Sequence, residues 1–506
     1  MAPEHFIGVD SGTQSTKTVV VEGETGEVVG RSSKIYGLIE GLPPGHMEQN
    51  PSIWVEAMME TVSAAIKASG INPRRIRGIG VSGQQHGLVP LDRGGRVIRP
   101  AKLWNDTSTA EECRIMIESL GGVGSVVGLI GNTIPPGFTA SKVLWLKRHE
   151  PENYERLRTI LLPHDYLNYC LTGGLSMEYG DASGTALMDV RRRRWSREVI
   201  GAIDPGLVER LPALRPSDEI AGHLRAEVAG RLGLREDVVV SSGGGDNMMA
   251  AIGTGNTRPG IVTVSLGTSG TIYAYSDRPV VDPEGEIAAF CDSTNGWLPL
   301  VCTMNVTVST EIVRSLFGYG YKELEEAVDR AQPGSGGLVF LPYLHGERTP
   351  NVPDGTGVYF GLNDSTFTAE SMARSAMEGV TMGMNYGFNR LRRLGIEPVE
   401  VRLTGGGARN RAWRRIAADV FDVEVVTLRI EEGAAYGAAL QAKWAYQKHV
   451  GEPVSIRELT DRFVAVDESS RLGPDPENVE VYRRLQGLQD RLSLDLRGAF
   501  RARKSL

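Results

Sequence analysis

Cysteine is scarce in this chain. Four occur in 506 residues, Cys113, Cys170, Cys291 and Cys302, and no two are spaced closely enough for a zinc ligand pair or a disulfide framework. Positive charge is also in deficit, with 55 Lys and Arg against 62 Asp and Glu, a net charge of −7. That balance argues against nucleic acid as the main partner. No stretch approaches the ~18 apolar residues of a membrane span, and no basic segment followed by an apolar one comes after Met1. The expectation is a cytoplasmic protein with no membrane partner. A G-x-x-x-x-G-K-[ST] phosphate loop is missing, so any nucleotide must be held in some other way.

What the chain does have is an ordinary globular composition, 41% hydrophobic and 23% charged, and enough length for several domains. Near its middle stands Val238-Val-Val-Ser-Ser-Gly-Gly-Gly-Asp246-Asn247, followed by the apolar run Met248-Met-Ala-Ala-Ile252. The pattern reads as a short buried strand, a glycine turn and the first turns of a helix. An Asp at the positive end of a helix is expected to stay ionised at neutral pH, which suits a carboxylate that accepts a proton from a bound hydroxyl. An ordinary helix cap uses the same residues.

The N-terminal segment predicts strands over 6–10, 16–21 and 27–30, then a helix after Pro51 with Ser52 as its cap, then a strand over 77–82. Later residues repeat the theme. Strands over 261–266 and 271–274 flank Gly267-Thr-Ser-Gly270, a long helix capped by Thr368 spans about 369–394, and a strand over 399–403 precedes Gly405-Gly-Gly-Ala-Arg-Asn410. This is a weak internal duplication, expected as two similar α/β lobes facing one cleft. Helical segments near 109–120, 140–148 and 151–158 form an insertion in the first lobe. An alanine-rich helix after Gly437 and a charged tail over 447–506 read as terminal helix and cover.

Several residues carry chemistry. The turns at Gly12-Thr13 and Gly267-Thr268 each bring backbone amides and a hydroxyl together, an anion nest suited to phosphate, although plain hairpins look the same. Asp10 stands immediately before the first turn, and a carboxylate beside phosphate implies Mg²⁺ between them, held through water. Lys17 could face the same phosphates. The run 405–410 lacks G-x-G-x-x-G spacing but suits a close backbone approach to a flat ligand. Ser82-Gly-Gln-Gln-His86-Gly87 and Leu103-Trp-Asn-Asp106 concentrate amides, an imidazole and an aromatic wall, as a polyhydroxylated ligand requires. Arg191-Arg-Arg-Arg194 reads as a solvated turn, Gly379, Gly383 and Gly387 as a stripe where two helices pack, and Glu347-Arg348 as a structural ion pair.

Together these stretches resemble the FGGY carbohydrate kinase family, and most closely its members that act on xylulose. The matching segments are Gly8-Val-Asp-Ser-Gly-Thr13, Ser82–Gly87, Leu103–Asp106, Gly137-Phe-Thr-Ala140, Gly243–Asn247, Ser265–Gly270, Leu341-Pro-Tyr-Leu344 with Gly346-Glu-Arg-Thr-Pro350, and Gly405–Asn410. The resemblance implies two domains of the ribonuclease-H-like, actin-like ATPase fold around a central cleft. Residues 1–242 would form the sugar-binding domain, and 243–506 the ATP-binding domain with a helical tail. It also implies ATP and Mg²⁺, with transfer of the γ-phosphoryl group to the terminal hydroxyl of D-xylulose. By motif, Asp246 is the base and Asp10 the acidic residue near metal and phosphates. Gln85, His86, Trp104, Asp106 and Asn247 fall at the sugar; Thr13, Lys17, Gly267 and Thr268 at the phosphates; Gly406, Gly407 and Asn410 at the adenosine. Gln85 stands where some relatives carry Met, and Ser11 where an apolar residue is often seen. Another pentulose or pentitol (ribulose, ribitol, arabinitol) and a non-catalytic actin-like nucleotide binder are the alternatives. The partners expected are small molecules, and a homodimer is the commonest assembly for a soluble enzyme.

Overall fold

The computed structural model describes residues 3–504. In the first lobe, short apolar runs buried on both faces and a glycine-containing turn make the hairpin of β1 (His5–Ser11) and β2 (Ser15–Glu22), continued by β3 (Val28–Ile35). Helix α1 (Pro51–Ser69) leads to β4 (Ile76–Gly83), and β5 (Ile220–His223) and β6 (Val239–Ser241) complete the sheet, in the order β5-β6-β4-β1-β2-β3. β1 runs antiparallel to β2 and parallel to β4, and β6 is parallel to β4. Asn50, not Ser52, occupies the cap position of α1, because Pro51 already takes the first helical position.

Before the lobes change over, helix α2 (Thr139–His149) lies in the insertion, and α3 (Asp246–Gly253) starts directly after the glycine turn that follows β6. The second lobe repeats the pattern with β7 (Ile261–Leu266), β8 (Gly270–Ala274), β9 (Ala288–Cys291), β10 (Trp297–Thr303), β11 (Glu400–Thr404), β12 (Glu424–Leu428) and β13 (Val466–Leu472). Their order is β9-β10-β8-β7-β11-β12-β13, with β11 parallel to β7 and β12 parallel to β11. Six strands thus correspond position for position, β3-β2-β1-β4-β6-β5 with β10-β8-β7-β11-β12-β13. The expected duplication is present. The tail does more than cover, because β13 extends the second sheet.

Helix α4 (Ala369–Arg393) is capped by the Thr368 hydroxyl, which accepts from the Ser371 amide at 3.2 Å. Its glycine stripe packs on strands and not on a helix. A Cβ at Gly379 would lie 2.2 Å from the Phe340 carbonyl oxygen, and one at Gly387 would lie 2.4 Å from Val301. Helix α5 (Arg411–Phe421) precedes β12, and α6 (Gly433–His449) follows it.

Helix α6 joins the lobes. It leaves the second sheet and lies on β1 and β4 of the first, where a Cβ at Gly8 or Gly80 would strike its backbone. It also crosses α3 at glycine on both sides: a Cβ on Gly253 would sit 1.8 Å from the Gly433 oxygen, and one on Gly437 would sit 1.8 Å from the Met249 oxygen. Such contact leaves no room for any side chain. Among the described residues no single helix is long and apolar enough to cross a membrane.

The arginine run forms a turn, with Arg193 at φ 52°, but its side chains are engaged. Arg191 donates to the carbonyls of Val127 and Gly128, and the Arg193 guanidinium lies 4.3 Å from the Trp297 ring centre. The expectation of a merely solvated turn is corrected, because both arginines donate to backbone carbonyls of neighbouring segments.

Candidate active site

Asp246 opens α3, where the backbone changes from the extended Gly245 to helix. Its Oδ1 accepts from the Asn247 amide at 2.8 Å and from Asn247 Nδ2 at 3.0 Å. Asn247 Nδ2 also donates to Gln85 Oε1 at 2.9 Å, so Asp246 and the Ser82–Gly87 loop form one chain of contacts. From behind, Gln441 of α6 fixes the turn: its Oε1 accepts from the Ser241 hydroxyl at 2.8 Å and the Gly243 amide at 2.9 Å. The expected full ionisation at neutral pH fails. Burial, with the carboxylates of Asp10 and Asp181 close by, raises the Asp246 carboxyl to about 7, outweighing the helix end.

Asp10, one residue before the end of β1, stands opposite Lys17 on β2 and Ser82 on β4. Ser82 Oγ donates to its Oδ1 at 2.8 Å, and burial raises its carboxyl above the usual range. Thr13 is held from three directions. Its hydroxyl donates to Gln84 Oε1 at 3.0 Å and accepts from the Trp104 indole at 2.9 Å, while its carbonyl accepts from Gln49 Nε2 at 2.7 Å. The first turn and the aromatic wall are therefore one rigid unit. On the other lobe, Thr268 is exposed, and the Gly267 and Thr268 carbonyls accept from the Thr307 and Val306 amides at 2.9 and 3.1 Å.

A cavity of about 840 Å³ separates the lobes, with Lys17 and Arg31 on one side and Gly405, Gly406 and Arg409 on the other. The Arg31–Glu432 ion pair, at 2.9 Å, spans it. Gly406 faces this space, and no atom lies within 4 Å of a Cβ built on it. Gly407 is behind the wall against Leu266 and Trp413, and the Asn410 carbonyl oxygen caps α5 by accepting from the Trp413 amide at 2.9 Å.

His86 adopts φ 64° and stacks on Phe138 with ring centres 4.3 Å apart. Its carbonyl accepts from Lys142 Nζ at 2.7 Å and from the Thr139 hydroxyl at 3.1 Å, both on α2. Burial, with Lys142 and Arg348 near, holds the imidazole well below its ordinary range, so it is neutral. Three buried polar atoms here have no protein partner: Gln85 Nε2, His86 Nδ1 and Asn105 Oδ1. A donor amide, an imidazole nitrogen and an acceptor oxygen left without partners together are what a hydroxylated ligand would satisfy.

Asp106, expected at the sugar, is otherwise engaged. One oxygen accepts from the Met47 amide at 2.9 Å and pairs with the fully buried Lys102 at 3.2 Å, and the other holds the Ser108 amide at 3.0 Å. Asn105, between Trp104 and Asp106 and not singled out from the sequence, is the residue here whose side-chain oxygen has no partner. His46, Glu48 and Asp106 have metal-like spacing, but the Lys102 ammonium stands among them, 3.2 Å from each of Glu48 and Asp106. Sequence reasoning also missed His164, whose Nδ1 lies 2.6 Å from Asp181 and whose Nε2 lies 2.9 Å from Asp165. Burial alone would lower this imidazole, but the two carboxylates outweigh it and hold the ring well above its usual range. Pro163-His164-Asp165 carries no spacing signal, since Asp181 reaches His164 only through the fold.

Glu347 and Arg348 are not an ion pair. The Glu347 carboxylate accepts from the Met304 amide at 2.8 Å, the Arg348 amide at 2.8 Å and Asn305 Nδ2 at 3.0 Å, leaving the guanidinium exposed.

Residues 5–253 match the N-terminal domain, and 262–446 the C-terminal domain, of the FGGY family of carbohydrate kinases. The xylulose kinase of Haemophilus influenzae is 43% identical over 484 residues, 94% of this chain and 97% of that protein. The xyloylose kinase of Brucella ovis has a crystal structure that superposes with a TM-score of 0.89 at 30% identity, covering 98% of this chain and 100% of that one. The gluconate kinase of Lactobacillus acidophilus superposes with a TM-score of 0.91 at 24% identity, covering 99% of each chain, which shows the shared fold. The two duplicated lobes thus match the two domains of one family, and the chain belongs to the FGGY family of carbohydrate kinases.

Proposed function

We propose that this kinase transfers the γ-phosphoryl group of ATP to the terminal hydroxyl of D-xylulose, giving D-xylulose 5-phosphate and ADP. The observation that carries the reading is Asp246, raised to about 7 at the edge of a pocket whose Gln85, His86 and Asn105 atoms lack partners. Support for the particular sugar comes from the similarity to the xylulose kinase of Haemophilus influenzae.

In this reading Asp246 accepts the hydroxyl proton as the oxygen attacks phosphorus. Phosphoryl transfer has a loose transition state, so alignment and charge stabilisation contribute more than basicity. Thr13, Lys17, Gly267 and Thr268 line up the phosphates, and Gly406 offers bare backbone to the adenosine. Gly407 and Asn410 shape that wall from behind. Asp10 and Asp246 form a close, poorly solvated carboxylate pair, a donor set that fits Mg²⁺ bound through water. The ion would supply charge neutralisation for the phosphates when bound, with Asp10 as its holder. The pocket itself is shaped by Gln85, His86, Trp104 and Asn247, with Asn105 in place of Asp106. The family's N-terminal domain runs through α3 to residue 253, so the turn that carries Asp246 belongs to the first lobe.

ADP release with Mg-ATP over D-xylulose, L-xylulose, D-ribulose, ribitol, arabinitol and glycerol tests the proposal. Turnover on D-xylulose well above the others supports it. A preference for another member discards the sugar and keeps the kinase, and bound ATP with no sugar-dependent turnover discards the function.

A further inference from the structure

The Gly346-Glu-Arg-Thr-Pro350 segment has no part in the chemistry described so far, yet it is built with care. Glu347 is 3% exposed and ties the segment to Met304 and Asn305. Asn305 Nδ2 donates to the Gly346 carbonyl at 2.7 Å, and its Oδ1 accepts from the His345 amide at 3.1 Å. The next two residues, Val306 and Thr307, hold the second phosphate turn through the carbonyls of Thr268 and Gly267. The segment and that turn therefore move as one piece of the second lobe.

This scaffold presents a single side chain. Arg348 is exposed, and among the described residues it makes no ion pair. Its Nη2 lies 3.9 Å from the position of a Cβ on Gly137, the residue packed against the Trp104 carbonyl. It also lies near His86 and Lys142, and near Cys302, which itself feels the charge of Asp246. The guanidinium thus stands beside Gly137 and His86 of the first-lobe pocket.

We propose that Arg348 is a specificity-determining residue that contacts the sugar from the second lobe, donating two N–H groups to adjacent hydroxyl or carbonyl oxygens. In the first-lobe pocket Asn105 Oδ1, His86 Nδ1 and the Gln85 amide donor have no partner, and no cationic donor is among them. Further sugar oxygens need donors, and a guanidinium supplies several in a fixed fork without ever losing its charge. Because the donor comes from the lobe that carries Gly267 and Thr268, a sugar that engages it draws the phosphate turn toward the first lobe. Sugar occupancy and phosphate alignment are coupled through one arginine.

The inference rests on the sugar-kinase reading, and its test is made on whichever member of the panel the unsubstituted enzyme turns over fastest. Arg348→Met and Arg348→Lys are compared with it for the KM of sugar, the KM of ATP and thermal stability. Loss of charged hydrogen bonds should raise the sugar KM about 10- to 100-fold in Arg348→Met, with the ATP KM and Tm near their original values. Arg348→Lys should recover only part of the loss, because an ammonium cannot reproduce the fork. Added guanidinium ion at millimolar concentration should restore part of the turnover of Arg348→Ala. A sugar KM within twofold of the original in Arg348→Met overturns the inference and leaves the kinase reading standing. A rise in both KM values together with a lowered Tm also overturns it, since that is the signature of a structural role. Silence of the unsubstituted enzyme on the whole panel refutes the proposed function and the inference with it.

Discussion

Replacing Asp246 by Asn should make the protein more stable and nearly inactive, and the two effects have one cause. The native carboxyl titrates near 7 against an ordinary 3.8, because it is buried beside Asp10 and Asp181. Between those values the native state keeps a proton that the unfolded chain has lost, so stability falls as pH rises through this window. Each tenfold change in proton affinity corresponds to about 1.4 kcal/mol, which sets a ceiling of about 4 kcal/mol for the penalty above pH 8. Asp246 is only half-buried at the cleft wall, so water reduces the effect to about 1–2 kcal/mol. Asn keeps the shape and removes the charge. Asp246→Asn should match the original protein near pH 4 and exceed its thermal stability at pH 8, with the gap opening across pH 5–7. Turnover should fall by about 10²–10⁴, the usual contribution of a positioned base, with ATP binding retained. The original enzyme's rate should rise with pH through about 7 as the base ionises. Calorimetry at several pH values and ADP-release kinetics check both arms. Turnover within tenfold of the original, or a stability difference that does not grow with pH, refutes the reasoning.

Three further outcomes follow from the packing. His164→Leu should lower stability by about 3–5 kcal/mol, because it leaves Asp165 and Asp181 buried without their cation. The His164 ring binds its proton more tightly folded than unfolded, so its contribution is complete below pH 6.5 and is lost as pH climbs through its raised native value; urea midpoints across pH 5–9 would show this. Gly437→Ala places a methyl 1.8 Å from the Met249 carbonyl and should cost about 3 kcal/mol or more in a thermal melt. Gly487→Ala, on an open helix face with no atom within 4 Å, should instead be neutral or gain up to about 1 kcal/mol.

Much of this was legible in the chain. Short apolar runs and glycine turns marked β1, β2, β7 and β8, the Thr368 cap marked α4, and Asp10 and Asp246 were recognisable because a carboxylate after a buried strand can be read locally. These features depend on residues a few positions apart. Apolar runs, caps and turns report on neighbours along the backbone, and so they survive in a sequence without its fold.

What the sequence by itself determined, then, was the two-lobed α/β plan and the position of the two carboxylates proposed to act in it. Only the tertiary structure decided their electrical state, because Asp246 titrates as it does through Asp10 and Asp181, which are remote in sequence. It also decided that Asp106 belongs to Lys102, that Asn105 is left without a partner, and that Arg348 faces the pocket while Glu347 anchors its loop. The crossing of α6 onto the first sheet is of the same kind. Gly8, Gly80, Gly253 and Gly437 look unrelated in order, and become one interface only when the helix arrives. Burial and charge act through space, and the distances that govern them are set by folding.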